Sequence, residues 1–118
     1  MNLNREQIAK YYQHMQIDTA SRQKQLVMLH DRLYTLIRDA IILGVEGRRE
    51  RLDKAQNIVV QLQIALKLDQ DDEVTHSLFL LYDYTYVQLE TKDVVKYREA
   101  LKVVEVIRDT FAEQYRKK

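Results

Sequence analysis

Glu73-Val74-Thr75-His76 sets a carboxylate and an imidazole three residues apart, the spacing by which helices of di-iron bundles aim both groups at one metal. Such a site takes two copies of the pattern and two further glutamates. Here the pattern occurs once, because neither His14 nor His30 has a glutamate three residues before it. The run Asp69-Gln70-Asp71-Asp72-Glu73 gathers acids as a calcium loop does. That loop needs glycine at its sixth position and glutamate at its twelfth, where this sequence has Val74 and Leu80. The absence of cysteine removes thiolate metal sites, disulfides and thiol catalysis together. No Gly-rich phosphate loop, Gly-x-Ser-x-Gly elbow or paired acid in an evident pocket is present. The expectation is a protein without metal, cofactor or enzymatic activity, in which the acids from Asp69 to Glu73 favour a helix N-terminus through the macrodipole.

What remains is recognition. Arg48, Arg49 and Arg51 are interleaved with Glu46 and Glu50, and 19 Lys+Arg stand against 18 Asp+Glu. A net charge of +1 gives no field to draw nucleic acid or acidic membrane, so a partner must be met through shape and apolar contact. Tyr82, Tyr84 and Tyr86 alternate. On a helix alternate residues lie about 200° apart, so one ring in the core leaves another near the surface, where tyrosine serves protein and partner at once.

Those side chains need elements to hold them. Hydrophobic residues at 46% and charged residues at 31% argue against disorder. A chain of 118 residues is long enough to bury about two-thirds of its unfolded surface in one domain. With no proline and two glycines, long helices meet few interruptions. The N-terminus, Met1-Asn2-Leu3-Asn4-Arg5-Glu6, lacks the basic-then-apolar order of a secretory signal, and no apolar run approaches a bilayer span. A cytoplasmic protein without membrane insertion is expected.

Four segments carry apolar residues at steps of three and four. The first, from about Arg22, presents Leu26, Leu29, Leu33, Leu36, Ala40 and Leu43, with Ser21 as its expected N-cap. Gly44 and Gly47 bracket a turn, and the next helix starts near Arg48 with Leu52, Ala55, Val59, Leu62 and Leu66. A third carries Val74, Leu78, Leu81, Tyr82, Thr85 and Leu89. Asp93 is placed to cap a fourth, which carries Tyr97, Ala100, Val104, Ile107 and Phe111 and ends in Arg116-Lys117-Lys118. Connections this short make neighbouring helices antiparallel, so the fold class is all-α, an antiparallel up-down four-helix bundle over residues 22–116.

The first two bundle helices carry more apolar surface than one shared core uses. Val27, Tyr34, Ile37, Ile41 and Ile42 add a second stripe to one, and Ile58, Val60, Ile64, Ala65 and Leu68 to the other. This surplus reads equally as a broad core or as a groove for a foreign helix. Ile8, Tyr11, Tyr12 and Met15 give the segment from Arg5 to Ile17 an amphipathic pattern too short to be stable undocked. Residues 1–17 are therefore expected as a short N-terminal capping helix, a removable lid on that same surplus surface.

Several stretches in this order resemble the flagellin export chaperone family, known as FliS. Tyr12 stands seven residues before Thr19-Ala20-Ser21, with Ile17 between them; Leu26-Val27-Met28-Leu29-His30-Asp31 is similar to the family's Leu-x-Met-Leu-Tyr-Asp. Lys54-Ala55-Gln56-Asn57-Ile58-Val59-Val60-Gln61-Leu62, Leu81-Tyr82-Asp83-Tyr84 and Arg108-Asp109-Thr110-Phe111 follow. The chain departs at Arg22, where the family has proline, at Arg32, where it has glycine, and at Phe111, where it has tryptophan.

The resemblance implies a cytosolic chaperone that holds the disordered C-terminal segment of flagellin, blocks premature polymerisation and delivers its client to the export gate. Tyr12 and Ile17 would then belong to the lid, and Asn57, Gln61 and Tyr84 would hydrogen-bond client backbone where its helices break. The alternative from another class is a module that sequesters a flagellar regulator, such as an anti-sigma factor. Surplus apolar surface would also let the unloaded chain pair with itself as a homodimer.

Overall fold

The three-four periodicities resolve into helices, and a computed structural model describes residues 4–14, 20–66 and 73–117. They are α1 (Arg5–His14), α2 (Ala20–Ile42), α3 (Arg48–Ala65), α4 (Glu73–Glu90) and α5 (Val94–Arg116). Ile17, Thr19 and the acids from Asp69 to Asp72 lie outside the described residues. The four longer helices form the antiparallel bundle and α1 is the short additional helix. Going around the bundle, α2 touches α3 and α5, and α4 touches the same two, so α2 and α4 stand on one diagonal. No described helix is long and apolar enough to cross a membrane.

Local chemistry sets the helix ends. Asn4 Oδ1 accepts from the Gln7 N–H at 3.0 Å while Gln7 Oε1 accepts from the Asn4 N–H at 3.0 Å, a reciprocal capping box that starts α1. Asp93 caps α5 as its sequence position indicates, its carboxylate accepting from the Val95 N–H at 2.9 Å. Ser21 does not cap α2, which begins one residue earlier and takes Ser21 into its first turn. Between α2 and α3, Gly44 and Gly47 adopt φ of 87° and 74°, a region closed to most side chains. Arg48 Nε ties the turn down by donating to the Ala40 carbonyl at 2.6 Å, and Arg51 Nη1 donates to the Glu46 carbonyl at 3.1 Å. Gly44→Ala meets no atom within 4 Å, so its cost is backbone strain alone. We expect a loss of about 1 kcal/mol in urea unfolding; an unchanged midpoint would mean that the turn relaxes freely.

The core follows the expected stripes, with Leu43 displaced and Leu29, Val74 and Leu81 only partly buried against it. Leu52, Ala55, Val59, Leu62 and Leu66 of the α3 region and Tyr97, Ala100, Val104, Ile107 and Phe111 of α5 are all buried. On α2 the expected Leu43 is 56% exposed, and Ile37 is fully buried within the core face. Steps that average three and a half drift from a true helix, which turns about 100° per residue, so by Leu43 the stripe has swung about 100° away from Leu26. Leu43 also follows the last residue of α2.

Two helices on the diagonal are joined through the core. His30 on α2 is fully buried, with Nδ1 2.7 Å from the Leu26 carbonyl and Nε2 2.7 Å from the Tyr82 hydroxyl of α4. A carbonyl only accepts, so Nδ1 carries the proton and Nε2 accepts from Tyr82. The Phe111 ring of α5 packs on the imidazole with centroids 4.7 Å apart. Burial holds the His30 pKa down at about 4, against the weaker opposing pull of the Leu26 carbonyl.

The lid expectation is corrected in its position. α1 lies against α5 and α4 rather than on the surplus face of α2 and α3. Its Ile8 is only 1% exposed and belongs to the core cluster. The face between α2 and α3 offers no such enclosure, since Met28 there stays 58% exposed. At the surface, Arg5 donates to Glu113 at 2.9 Å, and this bond holds the Glu113 carboxyl below its ordinary range, helped by Lys117. Both partners are solvated, so the pair orients α1 more than it secures it.

Candidate protein-binding groove

Core packing of α2 spends the Leu26, Leu33, Ile37 and Ala40 side. Two residues past Leu26, Met28 points about 200° around the helix and has no core to enter. Its partners lie on the neighbouring helix. Gln25, Met28, Leu29 and Arg32 from α2 and Ile58 and Gln61 from α3 line an open cleft of about 550 Å³. Leu29 and Ile58 make the floor, half-buried and 7% exposed, while Met28 stands up from one wall. Along α3 the apolar character continues at Ile64, one turn past Gln61 and 75% exposed. Helical geometry therefore gives a wall-and-floor arrangement suited to the apolar edge of a foreign helix, with polar groups at the rim.

The polar rim is amide-rich. Gln25 and Gln61 each carry two N–H donors and a carbonyl acceptor, able to meet backbone groups at a broken helix end. Among the described residues Arg32 is the one charged residue lining the cleft.

The residues expected at the site separate in space. Gln61 lines the cleft, and Asn57, one turn earlier on α3, is exposed outside its lining. Tyr84 lies on the seam between α4 and α5: its hydroxyl donates to Glu99 at 3.3 Å and accepts from Gln88 Nε2 at 3.2 Å. Burial and the Glu99 carboxylate raise its pKa. Since α4 does not adjoin α2, Tyr84 is remote from the cleft. Tyr12 belongs to α1, whose backbone alone is described there, and Ile17 lies outside the described residues. A second apolar strip flanks the Tyr84 seam, with Leu80 and Val87 on α4 and Val95 and Val106 on α5 all exposed.

The signal for Met28 was present in the sequence. A long unbranched apolar side chain two residues off a stripe has only solvent or a partner to meet. Arg32 and Gln25 carry no comparable signal, because polar residues on the outer face of a helix are ordinary.

Other candidate chemistry resolves into structure. Arg49 bonds Asp53, Gln56 and the Leu89 carbonyl, linking α3 to α4, so the basic patch with Arg48 and Arg51 acts as stitching at the loop end. Glu73 and His76 are both exposed in the first turn of α4. Among the described residues no group of three or more His, Cys, Asp or Glu is gathered as a metal ion would require.

Comparison with known proteins gives one family. The model of the family described as FliS, flagellar protein FliS, matches residues 4–118. No curated protein and no solved structure matches the chain.

Proposed function

This chain belongs to the FliS family of flagellar proteins, and from that premise we propose that it is a cytosolic export chaperone for flagellin. The observation that carries the proposal is the cleft between α2 and α3, floored by Leu29 and Ile58, from which Met28 projects 58% exposed. Exposed apolar surface of this kind is retained at a cost in solubility, and a client helix removes that cost by covering it.

The client is the C-terminal segment of flagellin, disordered when free. It folds into helices against the chaperone, which surrenders a few kcal/mol to ordering, so affinity rests on broad apolar burial. The cleft and the α4–α5 strip together supply such breadth. Held this way, the segment is kept from polymerising until the complex reaches the export gate. The N-terminal segment, Tyr12 and Ile17 included, acts as the lid, a reading supported by the contact of α1 with α4 and α5, the helices that carry the second strip. Gln61 and Asn57 meet client backbone on α3, while Tyr84 does so at the α4–α5 seam. No catalysis is involved.

Titration calorimetry with a peptide of the last ~40 residues of the organism's own flagellin tests this. One-to-one binding below about 1 μM with a negative heat-capacity change is expected. Removal of residues 1–17 should tighten binding if the lid overlaps the client. Absence of binding by both forms would sink the chaperone reading and direct attention to a flagellar regulator as the ligand.

A further inference from the structure

The cleft between α2 and α3 has a sign as well as a shape. Among the described residues Arg32 is its only charged lining residue, and no described carboxylate pairs with it. The nearest acids along the two helices are engaged elsewhere. Asp31 lies 3.9 Å from Arg108 of α5, Glu50 binds Lys54 at 3.3 Å, and Asp53 binds Arg49 at 2.9 Å. Lys24 stands one turn before Met28 as Arg32 stands one turn after it, and it too is exposed without a described carboxylate partner. Met28 is thus bracketed by two uncompensated cations on one face of α2.

We propose that Arg32 is a specificity-determining residue of the groove, selecting a client helix that presents a carboxylate about one turn from the apolar side chain it lays against Met28, Leu29 and Ile58. This rests on the chaperone reading and adds the chemistry of the client's contact edge. A guanidinium offers a planar fork that matches a carboxylate with two parallel hydrogen bonds, and its weak hydration lowers the cost of enclosing it. An apolar floor beside it strengthens that pair by excluding water once the client is seated. Charge complementarity also speeds encounter and rejects clients with a basic residue at that register. An uncharged amphipathic helix would fill the floor and leave Arg32 partly desolvated without a partner.

The test uses the full chain and the same ~40-residue flagellin peptide, with folding of every variant checked by circular dichroism. Arg32→Glu is expected to weaken binding about thirtyfold and Arg32→Lys about threefold, since lysine keeps the charge and loses the fork. Each peptide carboxylate is then replaced by lysine in turn. One such peptide is expected to lose affinity for the wild-type chain and regain it for Arg32→Glu, which neither a folding defect nor a general loss of charge would produce. Arg32→Glu binding as tightly as wild type, or no peptide position coupling to it, overturns the role of Arg32 and leaves the chaperone reading standing. Failure of both the wild-type chain and the chain lacking residues 1–17 to bind the peptide overturns both.

Discussion

Taken from neutral pH down to about 4, the protein will lose about 3 kcal/mol of folding stability through His30 alone. The imidazole titrates at its ordinary 6.5 when the chain is unfolded and at about 4 in the bundle. Between those values the unfolded chain binds the extra proton, so stability rises with pH. The contribution is complete above 6.5 and is lost as pH falls towards 4. Burial disfavours the charged ring in the first place. Protonation also removes the lone pair on Nε2, which turns an acceptor for the Tyr82 hydroxyl into a competing donor. Both effects act on the bond that joins the diagonal helices α2 and α4. Urea unfolding of wild type and His30→Gln across this range isolates the effect. Glutamine retains a donor and an acceptor without titrating, so its curve should lack the slope that wild type shows from 6.5 downwards, even if it starts lower at neutral pH. Glu113 acts in the opposite setting: its depressed carboxyl stabilises above its ordinary 4.5 and both proteins share it, so the difference between the two curves remains that of His30. Parallel curves would mean that the folded core relaxes to accommodate the charge, or that the unfolded chain disfavours it equally.

His30 also marks where sequence reading stops. The α3 and α5 stripes were legible because a period of three and four, free of proline, has one geometric solution and leaves five core residues on each element. Asp93 was legible for the same local reason: a carboxylate just before an apolar-periodic run finds the orphan N–H groups of the first turn. A buried histidine is different. Its character depends on Tyr82, 52 residues away, and on Phe111 from a third helix, so no window of sequence contains it. The same limit explains α1. Periodicity showed that this segment must dock, and the excess apolar residues of the first two bundle helices were the visible candidate. The receiving surface on α4 and α5 exists only after those helices pack and leave room for Ile8. Within the groove, Gln61 lay in a stretch that resembles the family, whereas Tyr84 did too and lies on another face. Sequence order along a motif carries no information about which seam of a bundle each residue joins.

Introducing charge on both walls of the cleft, as Met28→Glu/Gln61→Glu, is expected to weaken binding of the proposed flagellin client at least about a hundredfold while leaving the fold nearly as stable as before. Both side chains are exposed, with Met28 58% accessible, so neither replacement empties the core or forces a charge into it. Folding stability should move by no more than about 0.5 kcal/mol in urea. On α2 the new carboxylate even lies one turn from Lys24 and one from Arg32, a spacing that favours an exposed helix. In the complex the balance reverses. The carboxylate at position 28 must be desolvated under a client helix against Leu29 and Ile58, and the apolar contact that methionine offered is lost with it. It also occupies Arg32, removing the cation from the client. A hundredfold loss corresponds to about 2.7 kcal/mol, within what one central contact contributes in a well-packed interface. Calorimetric titration beside urea unfolding separates the two quantities. Equal affinity with equal stability would place the client wholly on the α4–α5 strip, where Leu80, Val87, Val95 and Val106 are the exposed apolar residues. A loss confined to the double variant and absent from Leu80→Glu/Val87→Glu would place it on the cleft alone. Losses from both pairs are the expected result for a segment that wraps the bundle, because the cost of ordering a disordered client is then offset by apolar burial summed over both strips.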